Sequence, residues 1–141
     1  MRRVMHRAKP IDESEKWVYG FYVFMEDIDR DDDEGTHRLY HMFVNKEASE
    51  YYEDYSKILP ETLGEFTNLE DKKGNLIFEG DILSNGTLVG VVTWHKNGYF
   101  YLKEIKESEE ETSFRPLGEM LEMYPFLVIG NIYDNKSLLK K

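Results

Sequence analysis

Four groups of side chains in this sequence have types and spacings that chemistry could use. The acidic run Glu26 to Gly35, EDIDRDDDEG, sets Asp27, Asp29, Asp31 and Asp33 at alternating positions, as a calcium loop would. An EF-hand loop also needs glycine at its sixth position and glutamate at its twelfth. Counted from Asp27 these positions are Asp32 and Arg38; counted from Asp29 they are Glu34 and Tyr40, so both registers fail. Such a run of like charge is expected as a solvated hairpin tip. His37 and His41 are four apart, but a zinc-peptidase helix carries glutamate after the first histidine, and here Arg38 stands there. On a strand the same spacing separates the two rings by roughly 13 Å, too far to share one ion. Glu79 and Asp81 form a carboxylate pair that acid–base catalysis could use. They flank Gly80, where bonding within a turn is the plainer use. Finally, Trp94, Tyr99, Phe100 and Tyr101 form an aromatic group that could stack nucleic-acid bases. Such a platform also needs a basic groove, and the nearby cations are only Lys96, Lys103 and Lys106.

The rest of the sequence narrows the chemistry further. There is no cysteine, which excludes disulfides, thiolate metal sites and cysteine nucleophiles. No serine sits in a Gly-x-Ser-x-Gly elbow. The segment Gly86 to Gly90 lacks the spacing and the lysine of a phosphate loop. The expectation is a protein that is not an enzyme and needs neither metal nor cofactor. The 141 residues carry a net charge of −10, and residues 1–70 hold 9 Lys and Arg against 17 Asp and Glu. So acidic a chain repels phosphate backbones, which makes nucleic acid an unfavoured partner. No apolar window approaches the roughly 18 residues of a membrane span, and no apolar run follows the basic N-terminus as in a signal peptide. A soluble, cytoplasmic protein is expected.

The elements that must position these groups read as mainly β, in keeping with 10 tyrosines and 8 phenylalanines. Residues 1–59 form an expected N-terminal β subdomain and residues 60–141 a C-terminal one, together one compact unit. Residues 1–9 suggest a first strand. Trp17 to Met25, WVYGFYVFM, reads as a central strand, with Gly20 marking a bulge or a close backbone approach. Thr36 to Val44 pairs back on it around the acidic loop. Asn45 to Lys57, NKEASEYYEDYSK, has helix-forming character, with Tyr51, Tyr55 and Ile58 as an i, i+4, i+7 stripe.

From Pro60 a short helical turn ends at Gly64. Asp71 to Asn75 then forms a hairpin loop in which Gly74 supplies positive φ. Leu76, Phe78 and Ile82 are expected on one buried side, with a kink at Glu79-Gly80-Asp81. After a turn at Gly86, a buried strand Val89–Trp94 meets Tyr99–Leu102 through the Asn97-Gly98 turn. A polar connection over 104–113, a helix Pro116–Met123 with Leu117, Met120 and Leu121 inward, a closing strand Phe126–Ile129 and a frayed tail Ser137–Lys141 complete the chain. Short strands joined by glycine turns suggest a small SH3-like barrel in this half.

The stretches PETLGEFTNLEDKKGNLIFEGDIL, at 60–83, and VIGNIYDN, at 128–135, resemble those of the YopX family of phage and prophage proteins. Arg7-Ala8, Val18-Tyr19-Gly20 and the SLL of the tail also match. The chain departs from that pattern at Lys9-Pro10, where Trp-Asp is usual. It departs again at Phe66-Thr67-Asn68, where Tyr-Thr-Gly is usual and Asn68 must take the left-handed conformation of glycine. The resemblance implies a largely β fold and a phage or prophage origin, and it carries over no catalytic residues.

Together these readings point to a non-catalytic phage or prophage accessory protein acting through protein–protein contacts or self-assembly as a homo-oligomer. Its expected contacts are Asp31, Asp32 and Asp33 in the acidic loop and Tyr51, Tyr52 and Tyr55 in the tyrosine-rich segment, since tyrosine is enriched at interfaces. One alternative is a barrel that engages nucleic acid in phage DNA metabolism, with Trp94, Tyr99 and Tyr101 as the stacking residues. Another is an acidic mimic of nucleic acid that occupies a basic host protein.

Overall fold

The computed structural model describes residues 2–12, 16–25, 36–45, 50–105 and 114–140; for Met25, 39–45 and 50–55 it describes the backbone alone. The fold is mainly β, with ten strands, one α-helix and two 3-10 turns among the described residues. The chain divides into two units, 1–65 and 66–141.

In the first unit, β1 (His6–Ala8), β2 (Val18–Met25), β3 (Thr36–Asn45) and β4 (Glu50–Lys57) form an antiparallel sheet in the order β4-β3-β2-β1. Gly64 and Glu65, at the start of β5 (Gly64–Glu70), pair with the other side of β1. The sheet curls, because the chain leaving β1 returns to the end of β4. Ile11 N–H donates to Lys57 O at 3.0 Å, and Leu59 N–H donates to Lys9 O at 2.8 Å. Ala8 and Ile58 are buried inside the curl, packed by Val18, Tyr22 and Leu63. Pro60–Thr62 is the expected short helical turn. Thr62 fastens it: Oγ1 accepts the Lys9 N–H at 2.8 Å and donates to Leu59 O at 2.7 Å.

Two expectations fail in this unit. The first strand is shorter than residues 1–9, and Glu50–Lys57 is a strand where a helix was expected. Its eight residues each pair with β3, from Asn45↔Glu50 to Arg38↔Lys57. Ladder pairing, with tyrosines suited to a pleated surface, outweighs a local helix preference of a few tenths of a kcal/mol per residue.

The second unit contains the rest of β5 paired with β6 (Leu76–Phe78). Beside them is an antiparallel sheet in the order β10-β7-β8-β9, built from β7 (Asp81–Ser84), β8 (Val89–His95), β9 (Tyr99–Glu104) and β10 (Leu127–Asn131). These curled sheets give the half-barrel form of the expected barrel architecture. The helix α1 (Leu117–Met123) packs Leu117 and Met120 into a core with Ile77, Leu83, Val92, Leu102 and Phe126. One correction concerns β6: Ile77 is in the core, and Leu76, expected inside, is exposed. Phe78 is buried too, its ring centre 5.4 Å from that of Phe66. A three-residue strand that turns at once at Gly80 (φ 91°) buries neighbouring residues on both of its sides, so simple alternation misplaces them. Asn68 takes φ 65°, as its glycine-like position requires. Lys136–Leu139 forms a 3-10 turn where a frayed tail was expected.

The two family-like stretches are bonded to each other. Asp71 is buried in the loop before β6, where Oδ1 accepts the N–H groups of Lys73 and Asn75, each at 2.9 Å. Its Oδ2 accepts Asn75 Nδ2 at 2.9 Å and the N–H of Val128, from the second stretch, at 3.0 Å. Burial pushes this carboxyl up, but the four donors outweigh burial and hold it below the usual carboxylate range. Gly80 O accepts Ile132 N–H at 3.0 Å, while Asn131 Oδ1 accepts the N–H groups of Tyr133 and Asp134. From Phe66 on, the motif residues thus include hydrogen-bonding parts of the second unit.

Candidate functional site

The expected site residues are placed in different parts of the chain. Asp31, Asp32 and Asp33, with the acidic loop, lie outside the described residues. Tyr51, Tyr52 and Tyr55 are in β4 and pair with Val44, Phe43 and Tyr40 respectively. Strand alternation therefore separates Tyr52 from Tyr51 and Tyr55. Asp81 is buried and its Oδ2 accepts the Phe78 N–H at 2.8 Å, which is turn bonding. Among the described residues no three His, Asp or Glu side chains gather to hold a metal ion. Among the described residues no helix is long and apolar enough to cross a membrane.

Trp94, Tyr99 and Tyr101 do not share one surface. The β8–β9 register pairs Trp94 with Phe100, His95 with Tyr99 and Thr93 with Tyr101, so Trp94 points to the side opposite the two tyrosines. Trp94 is 48% exposed, with its ring centre 4.7 Å from Phe100. On the other side His95 stacks on Tyr99 at 4.7 Å and meets Tyr101 and Phe114, each at 5.3 Å. Tyr101 is only 8% exposed, and the Tyr99 hydroxyl donates to Phe114 O at 2.9 Å. Most of this aromatic surface is spent on packing within the hairpin.

A groove of about 470 Å³ in the second unit is lined by Glu70, Lys72, Glu122, Met123, Tyr124 and Phe126, among others. It lies between the Asp71 loop and the end of α1. The carboxylate that best fits an acid–base role there, Asp71, is already committed to its four donors.

The outer side of the first unit's sheet carries several exposed apolar residues. Along β2, Tyr19, Phe21 and Val23 alternate to the outside and are 45%, 48% and 37% exposed. Among their register neighbours Arg7, on β1, is buried. Arg7 pairs with Tyr19; Phe21 with Tyr40 and so with Tyr55; Val23 with Arg38 and so with Lys57. Trp17 continues the stripe below Tyr19, with the Arg7 guanidinium 4.7 Å and Lys9 Nζ 5.5 Å from its ring centre. Exposed apolar residues grouped along one side of a strand mark an interaction surface more often than scattered ones do. Sequence reading missed it because WVYGFYVFM is apolar at almost every position, so nothing distinguishes its inner from its outer side.

The other side of β2 mixes polar contacts with an exposed Phe24, which is as open as Phe21. The Tyr22 hydroxyl and His37 Nδ1 lie 2.9 Å apart, and Phe24 packs 4.7 Å from the same imidazole. His6 lies 6.0 Å from Tyr22; burial lowers its pKa, and the charge of Glu65 partly opposes this.

Fold and site together define a mainly β protein with exposed apolar residues along one side of β2. The chain belongs to the YopX protein family, whose sequence model matches residues 6–140. Membership suggests a phage-type protein. Among curated proteins there is no match. The chain is also similar to the crystal structure of protein EF1440 from Enterococcus faecalis, with 21% identity and a TM-score of 0.61. That similarity covers 98% of this chain and 99% of the other, and it establishes a shared fold.

Proposed function

We propose that this phage-type protein is non-catalytic and acts by protein–protein contact through the outer side of its N-terminal sheet. The observation that carries this reading is the exposed stripe Tyr19, Phe21 and Val23 on β2. Aromatic side chains supply large apolar area with few rotatable bonds, which makes them effective anchors at interfaces. The tyrosine-rich segment, with Tyr51, Tyr52 and Tyr55, is the β4 strand of the same sheet. Photo-crosslinking tests the reading. A photoreactive phenylalanine analogue at position 21 should give protein adducts in a lysate of the source cells, and one at exposed Thr87 of the second unit should not. No adduct from position 21, or equal adducts from both positions, would refute it.

A further inference from the structure

We infer that the groove of the second unit docks an arginine-bearing segment of a partner protein. This surface is distinct from the β2 stripe and does not depend on the reading given to it. The groove's volume of about 470 Å³ lies within the range of about 300–1,000 Å³ usual for ligand sites. One wall is the loop that follows β5, with Glu70 and Lys72. The other is the last turn of α1 and the chain after it, with Glu122, Met123 and Tyr124.

The groove is rich in acceptors and poor in donors. Three carboxylates, Glu70, Asp71 and Glu122, line it against one lysine, Lys72. Asp71 is committed to its four donors. Glu70 and Glu122 are exposed, and neither carboxylate has an ion pair or hydrogen bond among the described residues. Glu122 stands in the last turn of α1, where the helix end favours lysine or arginine, yet no basic residue occupies that turn. Two carbonyls at the helix end are also unmet among the described residues. Pro125 has no N–H to return to Leu121 O, and Phe126 N–H donates to Tyr124 O at 2.9 Å instead of to Glu122 O. Breaks in local consistency of this kind are expected at functional positions.

A guanidinium answers each of these features. It is always charged and carries five donors in a flat fork, enough for a carboxylate on either wall and a carbonyl at the helix end. The apolar lining suits its stem and one neighbouring apolar side chain. Met123 is 50% exposed and Tyr124 40%, with the Tyr124 ring edge-on to buried Phe126 at 6.1 Å. The Tyr124 ring also offers a guanidinium a face to stack on. Arg115 donates to Met123 Sδ at 3.1 Å from outside the lining and leaves both carboxylates open.

The experiment titrates the ¹⁵N-labelled full chain with the capped tripeptide acetyl-Leu-Arg-Leu-amide, to about 5 mM, and follows amide shifts. Shifts should gather at residues 70–72 and 121–126, and binding should weaken as salt rises from about 20 to 300 mM. The matching citrulline peptide, alike in shape but uncharged, should bind about tenfold more weakly, and Glu70→Gln and Glu122→Gln should each cost the arginine peptide about threefold. Acetyl-arginine-amide, which lacks the apolar neighbours, should bind about fivefold more weakly than the tripeptide. The salt and citrulline comparisons use the wild type alone and stand should a variant fail to fold. Absence of shifts in the groove, equal binding of the citrulline peptide, or affinity unmoved in both folded variants overturns the arginine site. Acetyl-arginine-amide binding as tightly as the tripeptide overturns a protein segment as the source of the arginine.

Discussion

Asp71→Asn is nearly isosteric, so its cost can be worked from hydrogen bonds alone. In the wild type the carboxylate accepts four donors: the N–H groups of Lys73, Asn75 and Val128, and Asn75 Nδ2. An asparagine oriented to keep its oxygen at Oδ1 retains the two donors of the loop. Its amide nitrogen then faces Val128 N–H and Asn75 Nδ2, donor against donor. Losing two bonds to a charged acceptor, with the Val128 N–H left unmet on the β10 side, costs about 3 kcal/mol. For a cooperative unit of this size that lowers Tm by about 10 °C at pH 7.

The carboxyl's folded pKa lies below its unfolded value, so its contribution is complete above the unfolded pKa and is lost as pH falls through the folded one. The Tm gap between wild type and Asp71→Asn should therefore be widest near neutral pH and close progressively below about pH 4. Differential scanning calorimetry across pH 2.5–7 reads both effects. A gap under about 2 °C at pH 7, or one that widens on acidification, would refute the assignment of Asp71 as the bond between the two motif stretches.

Three further outcomes are expected. A Cβ at Gly90 would lie 2.6 Å from Leu102 Cγ and 3.0 Å from Lys103 O, so Gly90→Ala should cost about 1–3 kcal/mol in urea unfolding. Thr62→Val removes the acceptor of Lys9 N–H and should lower stability by about 2 kcal/mol; no loss would mean that Thr62 does not fasten the turn. His6 has a folded pKa below the ordinary 6.5, so the unfolded chain takes up its proton first, and His6 favours folding less as pH falls below that value. His6→Gln should flatten the slope of stability against pH between 7 and 5, measured by urea midpoints. An unchanged slope would remove His6 from the titration.

Much of the second unit is legible from sequence because its turns depend on single residues. Asn68 and Gly74 are turn residues with positive φ that their neighbours could not adopt at equal cost, and Asn97-Gly98 closes a hairpin as its type demands. Leu117, Met120 and Leu121 follow helical spacing onto a core. The first unit is less legible for a physical reason. Glu50–Lys57 has the local preference of a helix, and only eight non-local pairs with β3 make it a strand. The outer surface was hidden in another way: β2 is apolar on both sides, and its neighbour β3 offers Arg38, Tyr40, Met42 and Val44 against His37, Leu39, His41 and Phe43. Neither set is plainly the wet one. Tyr51 and Tyr55 could be singled out as contact residues by type, but their place in a strand depends on pairing with β3. The motif stretches, most distinctive as sequence, resolve into Asp71, Gly80 and Asn131 bonding one part of the second unit to another.

The most direct test of protein contact through the N-terminal sheet is crosslinking from a photoreactive analogue at position 21, with one at exposed Thr87 beside it, in a lysate of the source cells. Protein adducts from position 21 and none from position 87 are expected. No adduct from position 21, or equal adducts from both positions, would contradict it.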